Sequence, residues 1–495
     1  MLPGKGGRGK APARSPKGPS GGPSGGRAML LPATSFPVPE GDPFSHPGRR
    51  TSVALVSGFH RQFVARLEGL LDQLAARKEV RTAVLGVASG DGGFRWIGAR
   101  GETVPGGDAM TPETPWFIAS ITKLFIAATV LRLVEDGALT LEDRLVDLLP
   151  PSVTGGLHVL GGVDRTDQIT VEHLLAHASG LPDYIEDFPP RSPRGVRRSE
   201  MRSSGMSPSE MSPSEMSPSE MSPSGTAGDG GGPGAAPPGL PDRRSLVEIL
   251  LAEGDRDWTL DDTVQRVRER LRPHFPPQDL SGRRVRVRYS DTNFHLLMAL
   301  VAAREGQPFH QVLEERVLVP LKLDGTWVSG HPRPGIPETP VAALWAGDER
   351  VEFPRFFRSI ADLNATAGDL LRFLMALEQG GLFRDPGSWR RMQARWNRFS
   401  QPTDRAALRQ PSWPIEYGLG IMRFQLPRFL TPLRPVPTVV GHTGSTGTWL
   451  FHCPALDLYL VGGLSQITAG PLPFRFVPKV LRAAQESGIR NPPGA

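Results

Sequence analysis

One cysteine in 495 residues, Cys453, leaves the chain without an internal disulfide or a cysteine-based metal cluster. No run of 18 apolar residues occurs, which excludes a hydrophobic membrane-spanning helix. A signal-peptide core is also missing, because the one apolar patch near the start, residues 28–33, is too short and is interrupted by Pro32. The same tail lacks the amphipathic Arg/Ser helix of a transit peptide, so the expected location is cytoplasmic. No strand leads into a G-x-S-x-G: two residues before Ser445 stands Thr443 instead of glycine, which argues against an α/β-hydrolase.

Net charge is absent from most of the chain. Residues 1–50 carry eight Lys/Arg against two acids, and this +6 equals the formal charge of the whole protein, so the remainder sums to zero. A tail beginning G-K-G-G-R-G-K-A-P-A-R has too little apolar content to fold, and residues 1–50 are expected to form a disordered, basic Gly/Pro-rich arm. Non-specific contact with nucleic acid or anionic lipid is open to such an arm, but a specific nucleic-acid partner is not expected. Gly and Pro, 57 and 51 in number, gather a second time in residues 191–241, where M-S-P-S-E repeats from Met206, Met211 and Met216 and, truncated, from Met221. A five-residue period with a proline in each unit fits neither helix nor strand. This stretch is expected to be a disordered insertion, a long loop or else a phosphorylation or interaction segment, inside one folded domain made of residues 51–190 and 242–490.

Within that domain, apolar residues at helical spacing (Phe63, Leu67, Leu70, Leu71, Leu74) predict a surface helix over 59–78. Strands are expected at 81–89 and 94–101, joined as a hairpin by G-D-G-G. Thr170 is placed to cap a short helix ended by Gly180. His173 and His177 in that segment are four apart, a spacing that can bind zinc, but no third ligand follows, and a packed, hydrogen-bonded helix is the alternative. After the insertion come helix patterns over 243–271, then R-V-R-V-R-Y-S-D, which alternates like a strand and runs into a buried helix from about Asn293. Thr366 and Asp369 read as a capping box for a helix over 370–378. Further strands are expected at 417–424, 438–440, 447–453 and 456–463, with a closing helix at 474–486. Cys453 falls in one of these strands and reads as core. Strands at both chain ends with helices between them predict an α+β fold, an antiparallel sheet built from both ends, flanked by helices and carrying an inserted, mostly helical region.

The stretch at 116–133, W-F-I-A-S-I-T-K-L-F-I-A-A-T-V-L-R-L, is apolar on nearly all sides, the mark of a helix buried within a domain, and Gly137 supplies its stop. Ser120 and Lys123 lie one turn apart on one face. Burial disfavours a charged lysine and moves its pKa down, and a lysine made neutral can take a proton from a serine. A serine at the helix start also has its backbone N–H free for an oxyanion. On this motif alone, the favoured reading is a serine, or nearby Thr114, that caps the helix and a lysine that reaches for water, because S-x-x-K is so short.

Three motifs stand in order: S-I-T-K at 120–123, Y-S-D at 289–291 and H-T-G at 442–444. With F-I-A-S-I-T-K, H-L-L-A-H-A-S-G-L-P and Y-G-L-G, they resemble the serine β-lactamase and penicillin-binding-protein superfamily over about residues 60–190 and 243–488. The nearest branch holds class C β-lactamases, D-alanyl-D-alanine carboxypeptidases and related esterases. The resemblance implies a β-lactamase-like fold, an acyl-enzyme on Ser120, and proton transfer by Lys123 and Tyr289. It implies an oxyanion hole from the backbone N–H groups of Ser120 and Ser445, and a third motif of His442, Thr443 and Gly444 along the cleft. His442 stands where class C enzymes have lysine. Asp291 stands where the family usually has asparagine, and beside Lys123 it would hold that lysine charged. An alignment of Ser290-Asp291 with the S-D-N of class A enzymes, making Ser290 the relay, is the alternative. The implied partner is a small-molecule or peptide substrate bearing an ester, amide or lactam, turned over without cofactor or metal. Esters and D-amino-acyl amides are expected ahead of β-lactams. A catalytically weak relative that binds a ligand or partner is the competing expectation.

Overall fold

The computed structural model describes residues 58–189, 244–337, 339–399, 414–426 and 435–488, with 411 and 428 as single positions. The expected basic tail and M-S-P-S-E insertion lie outside the described residues.

Among the described residues, eight strands form one antiparallel sheet. Numbered along the chain within it, they are β1 (Thr82–Ser89), β2 (Arg95–Gly101), β3 (Asn397–Arg398), β4 (Ile415–Tyr417), β5 (Met422–Phe424), β6 (Val439–Gly444), β7 (Thr448–Cys453) and β8 (Leu458–Gly463). Their spatial order is β3-β4-β5-β6-β7-β8-β1-β2, so the first hairpin of the chain pairs with its last strand, in a register that sets Val84 against Gly463 and Ser89 against Leu458. This is the α+β sheet from both chain ends that the sequence pattern predicts. β1, β7 and β8 are buried along almost their full length, because helices cover both faces of the sheet.

On one face lies α1 (Gly58–Ala75), with Phe63, Leu67, Leu71 and Leu74 buried as its spacing predicts. Gly98 of β2 has no room for a Cβ because Leu71 and Trp96 fill that space. On the other face α5 (Ala367–Glu378) brings Leu371 against Gly86 of β1. The buried helix α2 (Thr122–Glu135) joins this side through Phe125, whose ring stacks on Phe373 at 3.6 Å between centroids. Gly137 follows with φ of +69°, the left-handed stop its position predicts. α3 (Val171–Leu175), α4 (Asp291–Glu305) and the closing α6 (Leu472–Glu486) complete the elements that matter here.

Several expectations need correction. The strand expected at 417–424 is a hairpin, β4 and β5, turned by Gly418 and Gly420. Gly418 N–H donates to the Ile421 carbonyl at 2.8 Å, and Gly420 has φ of +70° with its Cα facing Ala127 of α2. The alternating run before Tyr289 is in no strand: Arg286 N–H donates to the Gln278 side-chain oxygen at 3.1 Å and Arg288 N–H to the carbonyl of His177, itself in an irregular segment. The helix expected to run to Gly180 ends at Leu175, and His177 turns the chain with φ of +55°. His173 and His177 therefore share no helix face. His173 joins a capping box with Thr170 and bonds the Gln278 carbonyl at 2.6 Å, while His177 turns elsewhere. At Thr366 only half of the box forms: its hydroxyl accepts from Asp369 N–H, but the Asp369 carboxylate accepts from Thr326 Oγ1 at 2.9 Å. Cys453 is fully buried, as its strand position predicts. Among the described residues no helix is long and apolar enough to cross a membrane.

Candidate active site

Ser120 sits in a single 3-10 turn, Ala119–Ile121, that opens directly into α2. Ala119 before it has φ of +47°, a conformation that costs a residue bearing a Cβ and that sets the serine at a sharp corner. The corner is held by β6 and β7. Thr448 Oγ1 donates to the Ile118 carbonyl at 3.1 Å. A Cβ on Gly444 would come within 2.7 Å of that same carbonyl and 3.0 Å of Ala119 Cβ. Only glycine lets the end of β6 approach the Ser120 turn this closely, which gives the last residue of H-T-G a physical reason. Ser445, exposed, follows on the turn out of β6.

One turn along α2, Lys123 is buried and its Nζ donates to Ser120 Oγ at 3.0 Å and to Asp291 Oδ1. Asp291 is the first residue of α4, where a carboxylate also suits the helix N-terminus. The expected fall in the lysine's pKa does not occur. Burial alone would lower it, but the Asp291 carboxylate, Asp362 nearby and the hydrogen bond to Asp291 together raise it. In the resting site Lys123 is thus a charged donor to the serine.

Tyr289 closes the other side. Lys123 Nζ lies 5.0 Å from the centre of its ring, and its hydroxyl feels Ser120 without meeting it in hydrogen-bond geometry. Burial, followed by the Asp291 carboxylate, pushes the phenol well above its ordinary value. The resting group is a neutral phenol, suited to hand over a proton. Ser290 does not compete for the relay position: it is fully buried and its hydroxyl donates to the Pro182 carbonyl at 2.9 Å.

His442 exposes nothing to solvent, so it offers no cation of the kind a lysine at this position would offer. Burial, with the Lys123 charge adding to it, lowers its pKa to about 3. Neutral imidazole has one N–H, and here Nδ1 lies 2.7 Å from the Thr443 carbonyl, which can only accept. Nε2, at 3.0 Å, therefore accepts from the Tyr417 hydroxyl. Thr443 is buried and directs its hydroxyl at the Met422 sulfur, 3.6 Å away.

Three further groups meet here without having been singled out as site residues. Tyr417, at the end of β4, has its ring 6.1 Å from that of Tyr289; its Y-G-L-G setting was visible as a resemblance but carried no chemistry by itself. His177 packs between the two tyrosine rings, at 4.4 and 4.6 Å. Asp362, whose carboxyl burial raises to about 6, adds a second acid near Lys123. No local pattern marks it.

The family model described as Beta-lactamase matches residues 67–202 and 239–471, well over half of the chain. The chain belongs to the Beta-lactamase family of hydrolases. Esterase EstB of Burkholderia gladioli is 32% identical over 125 residues, a match that spans 24% of this chain and 30% of the esterase. The D-stereospecific amidohydrolase from Streptomyces sp. superposes with a TM-score of 0.56 at 23% identity, covering 85% of this chain and 98% of the other. The D-amino acid amidase from Ochrobactrum anthropi SV3, complexed with L-phenylalanine, gives a TM-score of 0.59 at 19% identity, covering 86% and 99%. At these identities the two structures speak for the fold.

Proposed function

We propose that this chain hydrolyses short-chain esters or D-amino-acyl amides through an acyl-enzyme on Ser120. The observation that carries the reading is the Lys123 hydrogen bond to Ser120 Oγ at 3.0 Å, made inside a buried corner of the family fold. In the proposed reaction Ser120 Oγ forms a bond to the acyl carbon and the bond to the alcohol or amine breaks. The serine proton passes by way of Lys123 and Tyr289 to the leaving group, and water repeats the sequence to release the acid. Backbone N–H groups of Ser120 and Ser445 are the proposed oxyanion donors, each such donor being worth about 10² to 10³ in rate. The preference for esters and D-amino-acyl amides over β-lactams rests on two supports. The relatives named above are an esterase and amidases. His442 is neutral and buried, and so gives the carboxylate of a β-lactam no cation to bind.

The Lys123–Asp291 pair favours a second reading, a slow or inert relative that binds a ligand, because a charged lysine cannot accept the serine proton. Turnover separates the two. A nitrophenyl acetate, a D-phenylalanine amide and a penicillin, offered to the same preparation, should be hydrolysed with the ester or amide ahead of the penicillin. Stoichiometric binding with no turnover of any of them would favour the inert relative, and a penicillin turned over fastest would reverse the proposed substrate order.

A further inference from the structure

His177 is the residue around the site whose geometry asks for an explanation. It is fully buried, and it adopts φ of +55°, a region that histidine enters more readily than most residues but still at a cost. What this backbone turn achieves is a pair of contacts on either side of Tyr289. Arg288 N–H donates to the His177 carbonyl at 3.1 Å, and Ser290 N–H donates to its Nδ1 at 3.2 Å. Tyr289 lies in a segment outside every strand, so no ladder fixes its backbone; the two atoms of His177 take that place. The ring then packs on the phenol it has positioned, at 4.4 Å between centroids, and on Tyr417 at 4.6 Å.

The protonation state follows from the partners. Asn293 Nδ2 lies 3.1 Å from the same Nδ1, and its orientation is set by Ser179 Oγ, which donates to Asn293 Oδ1 at 2.7 Å. Two donors converge on Nδ1, which therefore bears no proton. The proton sits on Nε2, which has no hydrogen-bond partner among the described residues and is enclosed by the aromatic rings. A buried polar atom left unpaired costs about 1–3 kcal/mol, and a hydrophobic residue would avoid that cost. Retaining it is understandable if the acceptor at Nδ1 is what the site needs.

We infer that His177 is a positioning residue for acylation: a fixed, neutral acceptor that clamps residues 288 and 290 and so sets the Tyr289 phenol against the Ser120–Lys123 pair. The inference rests on the proposed function above. It leaves the chemistry to Ser120, Lys123 and Tyr289.

Two variants of the full chain test it. Asparagine tolerates a left-handed backbone and places a side-chain oxygen close to where Nδ1 sits, whereas glutamine carries its amide one methylene further out. With a short-chain nitrophenyl ester, His177→Asn should retain kcat to within about threefold. His177→Gln should lose about 10²-fold, the order expected when a catalytic group is misplaced by an ångström, with KM nearly unchanged. The rate of fluorophosphonate labelling at Ser120 should fall in step with kcat. In the wild type, ¹⁵N NMR of labelled histidines should show an unprotonated Nδ1 for the resonance that disappears in the asparagine variant. Equal activity in both variants, a loss confined to KM, a loss that tracks the melting temperature, a glutamine variant that does not fold, or a protonated Nδ1 would each overturn the inference. A wild type that takes no label at Ser120 would instead sink the proposed function, and this role with it.

Discussion

Replacing Asp291 by asparagine tests the electrostatics of the site at its most exposed point. Asp291 Oδ1 accepts from Lys123 Nζ, with the lysine side chain 5% and the carboxylate 19% exposed, so solvent screens the pair only weakly. Two unit charges about 3 Å apart attract by about 5 kcal/mol at an effective dielectric of about 20. Part of this is spent on desolvation, and an opposite charge at such range typically moves a partner's titration by about one to three units. The sign follows from the proton count. Asp291 raises the lysine's pKa, so the neutral lysine that can accept the serine proton appears only at the alkaline end of the profile. Removing the charge lets burial act, and the lysine deprotonates at lower pH. Asp362 remains and holds part of the effect. The kcat/KM profile of Asp291→Asn for a nitrophenyl ester should therefore show its rising limb displaced by at least about one unit toward acid, equivalent to about 1.4 kcal/mol. Loss of a negative charge at the start of α4 should add about 0.3–1 kcal/mol to the stability lost with the Lys123 ion pair, the total being measurable separately by denaturant titration. A limb that stays in place in a folded variant would refute the reasoning, and a changed KM beside it would move Asp291 from the lysine to the substrate.

Other perturbations follow from the same geometry. Gly444→Ala drives a Cβ to within 2.7 Å of the Ile118 carbonyl and displaces the end of β6 from the Ser120 turn. A loss of about 10²-fold in kcat is expected, and an unimpaired enzyme would show that this close approach is immaterial. Tyr417→Phe leaves the fully buried His442 Nε2 without its donor and should cost about 1–3 kcal/mol in chemical denaturation; a change below about 0.5 kcal/mol would contradict this hydrogen bond. Asp369, buried, has its carboxyl raised to about 6 by burial, with its hydrogen bond from Thr326 only partly offsetting this. A raised carboxyl means the folded state holds its proton longer than the unfolded chain. The wild type is therefore penalised as pH rises through about 6, and Asp369→Asn should gain up to about 3 kcal/mol at pH 8 and almost nothing below pH 4. Equal gains at both pH values would show that the effect is packing and not charge.

Sequence patterns made the frame readable because α1 and the longer strands of the sheet announce themselves locally, while the two-residue β3 is too short to leave a pattern. Phe63, Leu67 and Leu71 mark a face, and the G-D-G-G turn marks a hairpin. The hairpin of β4 and β5 looks like one strand in the sequence, because the turn at Gly418 and Gly420 packs on Ala127 and bonds Leu175, which lie far away along the chain. The site divides in the same way. Ser120 and Lys123 are legible as neighbours on one helix, and Asp291 is legible as a charge beside the lysine once the motifs are aligned. The sign of the lysine's shift was not legible, since it depends on whether burial or two carboxylates prevail, and Asp362 belongs to no motif. His177 drew notice for a zinc spacing that the left-handed turn abolishes, and its contacts with Ser290 and Tyr289 span more than a hundred residues of chain.

The central claim is that Ser120 becomes acylated, and intact-protein mass spectrometry of the full chain tests it most directly. After incubation with a fluorophosphonate, the wild type should gain one adduct, mapped to the peptide containing Ser120, and Ser120→Ala should gain none. A Ser120→Ala chain labelled as strongly as the wild type would contradict the account.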